Sequence, residues 1–392
     1  MTAPASATDA PEVLGDGGAV EALLPEWREL AAAAARSPFE SPDWLLPWHR
    51  HYAAAARPRL LTWRVDGRLV GVAPLIASRT RQLGTALTEL YFWAGFGPAL
   101  RGQVDVLATD EHRAAVLAGL NGWLRDGPTR WDVLNALRLP AGSETPATLT
   151  EAGAEAGWRT VRLTGVVRSE TFVIELPDDL EGWARHLGAK ARHNMRTEEN
   201  RFTRAGGSFE QRTDSSVAAD AVDAVRRLMA ARWGDKELDF GPDPAFEPFL
   251  IDAFTALLSA GAMWVDIARD DSGIRACLVT FALNRRAVAL VMGVSYDDDV
   301  RKMSLGKGLF DRSISEAVRR GCSTYDFLWA GGYKEAFWHA EPRTLESLVQ
   351  GRGLRGAWVA EAARLRRVVL PGLVGGRRVA TAPAPGSEDG AG

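Results

Sequence analysis

The chain has 392 residues, 46% hydrophobic and 25% charged, the balance of a soluble globular protein with room for two or three domains. A formal net charge of −3 gives no ground for a DNA-binding protein. No segment approaches the ~18 uninterrupted apolar residues that a membrane span needs.

The opening MTAPASATDAPEVLGDGG carries acidic residues and lacks the apolar stretch of a secretory signal, so residues 1–18 read as a disordered leader. An Ala-rich helix is expected over 21–35. In SPFESPDWLLPWHRHY, Ser41 before Pro42 makes an N-cap and first-turn pair, with Asp43 favourable in the first turn. Two β runs in RLLTWRVDGRLVGVAPLIAS meet at Asp66-Gly67, a two-residue hairpin signal. VDVLAT, a helix over 111–125 and RWDVLNAL then give strand, helix and strand. Residues 19–165 are thereby a first mixed domain.

Residues 166–352 repeat the plan. ETFVIELP is followed by a long basic helix, SFEQRT, and helices over 217–233 and 245–260. Three strands come next, MWVDIAR, IRACLVTFAL and AVALVMGVSY, then a glycine loop, a helix over 308–320 and the strand STYDFLWA. Helices, a meander, a helix and a further strand make an α+β pattern, and its recurrence points to a duplicated fold. Residues 353–380 read as a basic, partly amphipathic helix with a solvated face, the other reading being a membrane or partner contact. Residues 381–392 read as a disordered tail. Cys277 and Cys322 lie in apolar stretches without metal-ligand spacing; they read as reduced core residues of a cytoplasmic protein, or else as a buried pair, and no metal is expected.

Three stretches carry candidate chemistry. In MSLGKGLF, Gly306 and Gly308 lie between a strand and a helix, where glycines admit a ligand and a helix N-terminus attracts phosphate; the plainer reading is a flexible turn. A P-loop needs Ser or Thr where Gly308 stands, and a dinucleotide fingerprint needs a third glycine. In STYDFLWAGGYKEAFW, Tyr325, Phe327 and Trp329 share one strand face, leaving Asp326 and Leu328 on the other. Gly331-Gly332 then turns the chain, and Tyr333 and Lys334 emerge past the strand end, where a phenol can give a proton and an ammonium can hold an anion. By itself that turn reads more simply as structural. In HLGAKARHNMRTEENRFTRAG, Leu187, Ala191, Met195 and Phe202 form the buried stripe of a helix. Lys190, Arg192, His193, Arg196, Arg201 and Arg204 flank it, either as a solvated face or as a wall for an anionic ligand.

Taken in order, SPFESPDWLLPW, the K-x-R-x-N-x-R run from Lys190 through Asn194 to Arg196, SLGKGLF and YDFLWAGGYKEAFW resemble acyltransferases related to the cellulose-biosynthesis protein CelD. These form a branch of the GNAT N-acyltransferase superfamily near the FemABX peptidyltransferases, and the resemblance runs from about Ser37 to Gln350. It implies tandem GNAT-like domains, the first degenerate and the second holding acyl-CoA as co-substrate. Met292, Gly293 and Val294 would line the pantetheine arm, and Ser304, Leu305, Gly306, Lys307 and Gly308 would form the pyrophosphate loop. Met303 stands where that family usually has Gln or Arg. The implied reaction is attack of an amine on a thioester, with Tyr333 as proton donor and Asp326 as base or substrate anchor. Lys334, Lys190, Arg192, Asn194 and Arg196 would bind anionic groups, and Arg232 and Trp233 would add a cationic and a stacking wall. The acceptor is expected to be a small-molecule amine or an envelope or polysaccharide precursor. Two other readings stand beside it: aminoacyl transfer from charged tRNA, and a non-catalytic binding or scaffold protein.

Overall fold

A computed structural model describes residues 10–54, 56–82, 84–93, 103–163, 169–233, 243–301, 303–328 and 333–369. The first half begins with β1 (Glu12–Leu14), α1 (Gly17–Ala34) and α2 (Pro42–Tyr52), followed by strands β2 (Arg57–Val65), β3 (Arg68–Gln82), β4 (Thr85–Phe92) and β5 (Leu107–Ala108). It continues through α3 (Arg113–Asp126), β6 (Val133–Leu139), α4 (Thr145–Glu155) and β7 (Arg159–Arg162). Local chemistry explains several boundaries. Ser41 caps α2 by accepting from the Asp43 N–H at 3.2 Å, with Pro42 at the first helical position. Asp66 and Gly67 take φ of 50° and 79°, the two left-handed residues of a type I′ hairpin. The expected disordered leader is corrected over its last residues. Leu14 pairs with Leu60, and Asp16 Oδ1 caps α1 by accepting from Ala19 N at 2.9 Å. Val13 and Leu14 gain burial against the core, which orders the segment.

The second half runs β8 (Glu170–Glu175), α5 (Leu180–Arg204), β9 (Ser208–Arg212), α6 (Ala218–Trp233), α7 (Phe246–Ser259), β10 (Met263–Asp270), β11 (Gly273–Leu283) and β12 (Arg286–Val294). Next come α8 (Asp298–Arg301), α9 (Leu305–Arg319), β13 (Thr324–Asp326), α10 (Tyr333–Trp338), β14 (Glu341–Thr344), β15 (Glu346–Gly351) and α11 (Gly353–Val369). Gly188, at φ 73° and ψ 158°, breaks α5 just before the K-x-R-x-N-x-R run. The expected stripe is inside: Leu187, Met195 and Phe202 are buried, and Ala191 is half-buried. The strand expected over 323–330 has ladder geometry only at Thr324–Asp326 among the described residues, and Trp329 lies outside them. Tyr325 and Phe327 enter the core under α9, while Leu328 enters the other core. The sequence reading missed β4, α4, β7, α10, β14 and β15. The expected tail, and the last part of the expected final helix, lie outside the described residues.

Among the described residues the strands form two mixed sheets, ordered β1-β2-β3-β4-β6-β15-β7 and β9-β10-β11-β12-β13-β8-β14, with β5 beside β3. The orders correspond strand for strand: an antiparallel meander, one parallel pair (β4 with β6, β12 with β13), then two antiparallel strands. One lane in each sheet is exchanged. β8 follows β7 in sequence yet lies in the second sheet, between β13 and β14; β15 returns from the chain's end to lie between β6 and β7. A contiguous second domain over 166–352 therefore does not describe β15, which belongs to the first sheet. A core cluster also spans both halves: Phe39 meets Phe281 with centroids 5.2 Å apart, and Trp44 meets Phe249 at 4.9 Å. Cys277 and Cys322 are buried free thiols, and burial pushes them up to about 12 and about 11.

Candidate functional site

The site grows from one strand that outruns its neighbour. β12 pairs with β13 only from Arg286↔Thr324 to Val288↔Asp326, so residues 289–294 continue past the last paired position. Against β11 the ladder shifts between Val279↔Val291 and Thr280↔Ala289, which leaves Leu290 as the extra residue of a β-bulge. Bulges bend a strand and raise its twist, and this one lies just beyond the last described pairing of β12 with β13. Among the described residues, that edge of β12 over 289–294 has no ladder partner.

The side chains beyond the bulge split between two helices. A Cβ at Gly306 would lie 3.4 Å from Met292 Cε and 3.4 Å from Val294 Cγ2, so these two residues face the first turn of α9. Gly293 faces the opposite way. A Cβ there would lie 2.8 Å from Leu228 Cβ and 3.2 Å from Val225 Cα, so only glycine lets α6 come this close to β12.

The start of α9 has the makings of an anion site. Ser304 takes a left-handed conformation, φ 45° and ψ 38°, and its side chain does not cap the helix. Lys307 N–H donates to Ser304 O at 2.8 Å, while the amides of Leu305 and Gly306 have no intrahelical acceptor. Lys307 Nζ stands 4.6 Å above the Phe337 ring of α10, bringing a cation beside this turn. Met303 packs, half-buried, against the second core cluster rather than supplying a polar group.

Gly308 also meets α5: a Cβ there would lie 3.1 Å from Glu199 Oε1. Burial raises the Glu199 pKa, while Arg312 opposes that effect through a 3.3 Å ion pair. Trp183 Nε1 donates to Asp311 Oδ1 at 2.8 Å, a second tie between α5 and α9. Lys190, Arg192, Asn194 and Arg196 are exposed along α5 beyond its break.

Asp326, at the end of β13, is a joint between the halves. Its carboxylate accepts from Thr171 Oγ1 on β8, from the Leu328 amide at 2.6 Å and from Gln103 Nε2 at 3.0 Å. Gln103 comes from the buried segment that precedes β5. Tyr325 beside it is wholly buried, and its hydroxyl donates to Ser313 Oγ on α9 at 2.9 Å. Tyr333 and Lys334 open α10, one turn before Phe337, instead of lying in a strand-end turn. Their side chains, those of Arg232 and Trp233 at the end of α6, and Gly331 and Gly332 lie outside the described residues.

The site thus joins Met292, Gly293 and Val294 to Ser304, Leu305, Gly306 and Lys307, and sets Asp326 where β12 and β13 part. Sequence reasoning missed Gln103, Thr171, Glu199 and Phe337. Glu199 had one usable signal, a carboxylate four residues from Met195 on the face of an otherwise basic helix. Among the described residues no group of three or more His, Cys, Asp and Glu side chains gathers to hold a metal.

Residues 189–337 match the model of the Acetyltransferase (GNAT) domain, from just beyond the α5 break to α10. The crystal structure of FemX superposes with a TM-score of 0.60 at 10% identity, over 91% of this chain and 99% of that one. A conserved protein of unknown function from Bacteroides thetaiotaomicron gives 0.50 at 14% identity, over 84% and 97%. The chain has a tandem GNAT-like fold. A tandem GNAT protein from the clavulanic acid biosynthesis pathway aligns more loosely, at 0.43 and 13% identity over 87% and 98%. No curated protein matches the sequence significantly. Among the described residues no helix is long and apolar enough to cross a membrane.

Proposed function

We propose that this chain is a cytoplasmic N-acyltransferase of the CelD-related kind. It would pass an acyl group from acyl-CoA to an amine on a small molecule or an envelope or polysaccharide precursor. The observation that carries the reading is the edge of β12 over 289–294, which among the described residues has no ladder partner beyond Val288↔Asp326 and which lies against the uncapped first turn of α9. An extended amide-bearing arm can add to such an edge as a strand would, and a pyrophosphate suits the helix start with Lys307 beside it. These residues fit acyl-CoA, and the GNAT match over 189–337 supports the same assignment.

On this reading the roles divide as follows. The β12 edge orients the thioester, and an amide of the bulge region stabilises the carbonyl oxygen as the amine attacks. Tyr333, at the start of α10, protonates the leaving sulfur. Asp326, already accepting from Thr171, Gln103 and the Leu328 amide, acts as an anchor of the cleft rather than as the base. Lys334, Arg232 and Trp233 are assigned to the acceptor side.

Calorimetric titration with acetyl-CoA tests the donor assignment, with Lys307→Glu as the disabled form. We expect binding by the native chain and a loss of ~10-fold or more in the folded variant, because the substitution reverses a charge beside the pyrophosphate. No acyl-CoA binding at millimolar concentration overturns the proposal. A second reading, transfer from charged tRNA, is favoured by one observation, the exposed Lys190, Arg192, Arg196, Arg201 and Arg204 along α5. Tight tRNA binding that weakens steeply with salt would move that reading to the front.

A further inference from the structure

A cavity of about 410 Å³ lies on the other side of β12, between that strand, α6 and α7. Its walls include Val222, Val225, Phe246, Leu250, Phe254 and Val291, all apolar. Val291 is the link to the proposed donor site, since it follows the bulge at Leu290 and lies beyond the last described pairing of β12 with β13. Two residues further on, at Gly293, α6 closes against the strand. The cavity therefore reaches β12 at Val291, next to the bulge, where the carbonyl end of a thioester on this edge would be held.

The lining also says what kind of group fits. The cationic and anionic groups at the lip, Arg226 and Glu247, are paired with each other at 3.5 Å. Asp243 Oδ1 caps the entry to α7 by accepting from Ala245 N at 3.0 Å. The apolar walls would penalise a buried ammonium and favour methylenes. At roughly the 30 Å³ that a liquid water occupies, the volume has room for about a dozen heavy atoms.

We propose that this cavity holds the acyl chain of the donor, and that the protein prefers a medium-chain acyl-CoA of about eight carbons to acetyl-CoA. The inference rests on the acyl-CoA reading above and names the acyl class that reading leaves open. Titration of the native chain with acetyl-CoA and octanoyl-CoA is the test. Octanoyl-CoA should bind at least ~30-fold more tightly, since the added methylenes leave water for an apolar site. Leu250→Trp fills the cavity and should bring the ratio of the two affinities toward 1; Val222→Phe, a smaller change, serves the same end if the tryptophan prevents folding. Equal binding of the two thioesters by the native chain overturns this inference and leaves the acyl-CoA reading standing. Binding of neither overturns both. A ratio unchanged in folded variants also overturns it, because the chain would then lie elsewhere.

Discussion

The two sheets treat the same lane in opposite ways. Alongside β11 that lane is filled by β12 alone, unbroken from Arg286 to Val294. Alongside β3 it is filled by two pieces. β4 pairs from Gln82↔Thr85 to Leu75↔Phe92, and β5 pairs where Gly71 and Val72 meet Ala108 and Leu107. Among the described residues, only Phe92 of β4 runs past the last pairing with β6, at Tyr91↔Asn135. The chain between the two pieces carries Gln103 to Asp326 and Asp105 to Arg113. At the start of α3, the counterpart of α9, the Arg113 guanidinium is held by Asp105 at 3.2 Å and by Glu144 at 2.7 Å. The first half thus fills with its own groups the positions that correspond to the edge of β12 and the start of α9. On the function proposed above, only the half whose corresponding positions are not filled in this way keeps a donor cleft.

The largest effect is expected from separating the halves. Residues 1–165 expressed alone lack β15, so β6 and β7 lose the partner between them. We expect no cooperative transition in a urea melt of that fragment. A sharp transition would break the comparison, showing that the first sheet closes without the exchanged strand.

Next in size is a pH effect from a buried acid in each half. Burial pushes Glu40 up to about 8, with Asp105 adding to the rise, and burial pushes Asp266 up to about 7. Both stay protonated in the folded protein at pH values where the unfolded chain has ionised. Their contribution is full below the unfolded pKa values, near 4, and is lost as pH rises toward 7 to 8. The loss is at most ~1.4 kcal/mol per pH unit for each group. Urea midpoints at several pH values should therefore fall across that window, and Glu40→Gln should flatten the decline. An unaltered slope in the variant would mean that Glu40 is charged in the fold.

The smallest effect concerns the joint between the halves. A double-mutant cycle on Gln103→Ala and Asp326→Asn should give a coupling of ~1–2 kcal/mol, the scale of a hydrogen bond to a charged acceptor. A coupling near zero would mean that the link between the segment before β5 and the end of β13 does not hold the cleft.

What was legible in the sequence was what short-range chemistry fixes. The Asp66-Gly67 hairpin, the Ser41 cap and the stripe Leu187–Met195–Phe202 each depend on residues a few positions apart, and each formed as read. The glycines beside the candidate site were also visible, but their reasons were not. Gly293 admits α6 and Gly308 admits Glu199, contacts made across long stretches of sequence. β4 was hidden because Glu89 interrupts its apolar face. That carboxylate is buried only because Thr80, Gln82, Tyr91 and Asn135 donate to it from three strands.

By itself the sequence determined the caps, the hairpin turn and the buried helix stripe, since periodicity, caps and turn residues act within a few positions of chain. The tertiary structure alone decided that β8 and β15 change places, that Asp326 answers to Gln103, and that Asp105 and Glu144 close on Arg113 at the start of α3. Each of these depends on which lane or lone pair is vacant after the rest has packed, a condition that no local pattern records.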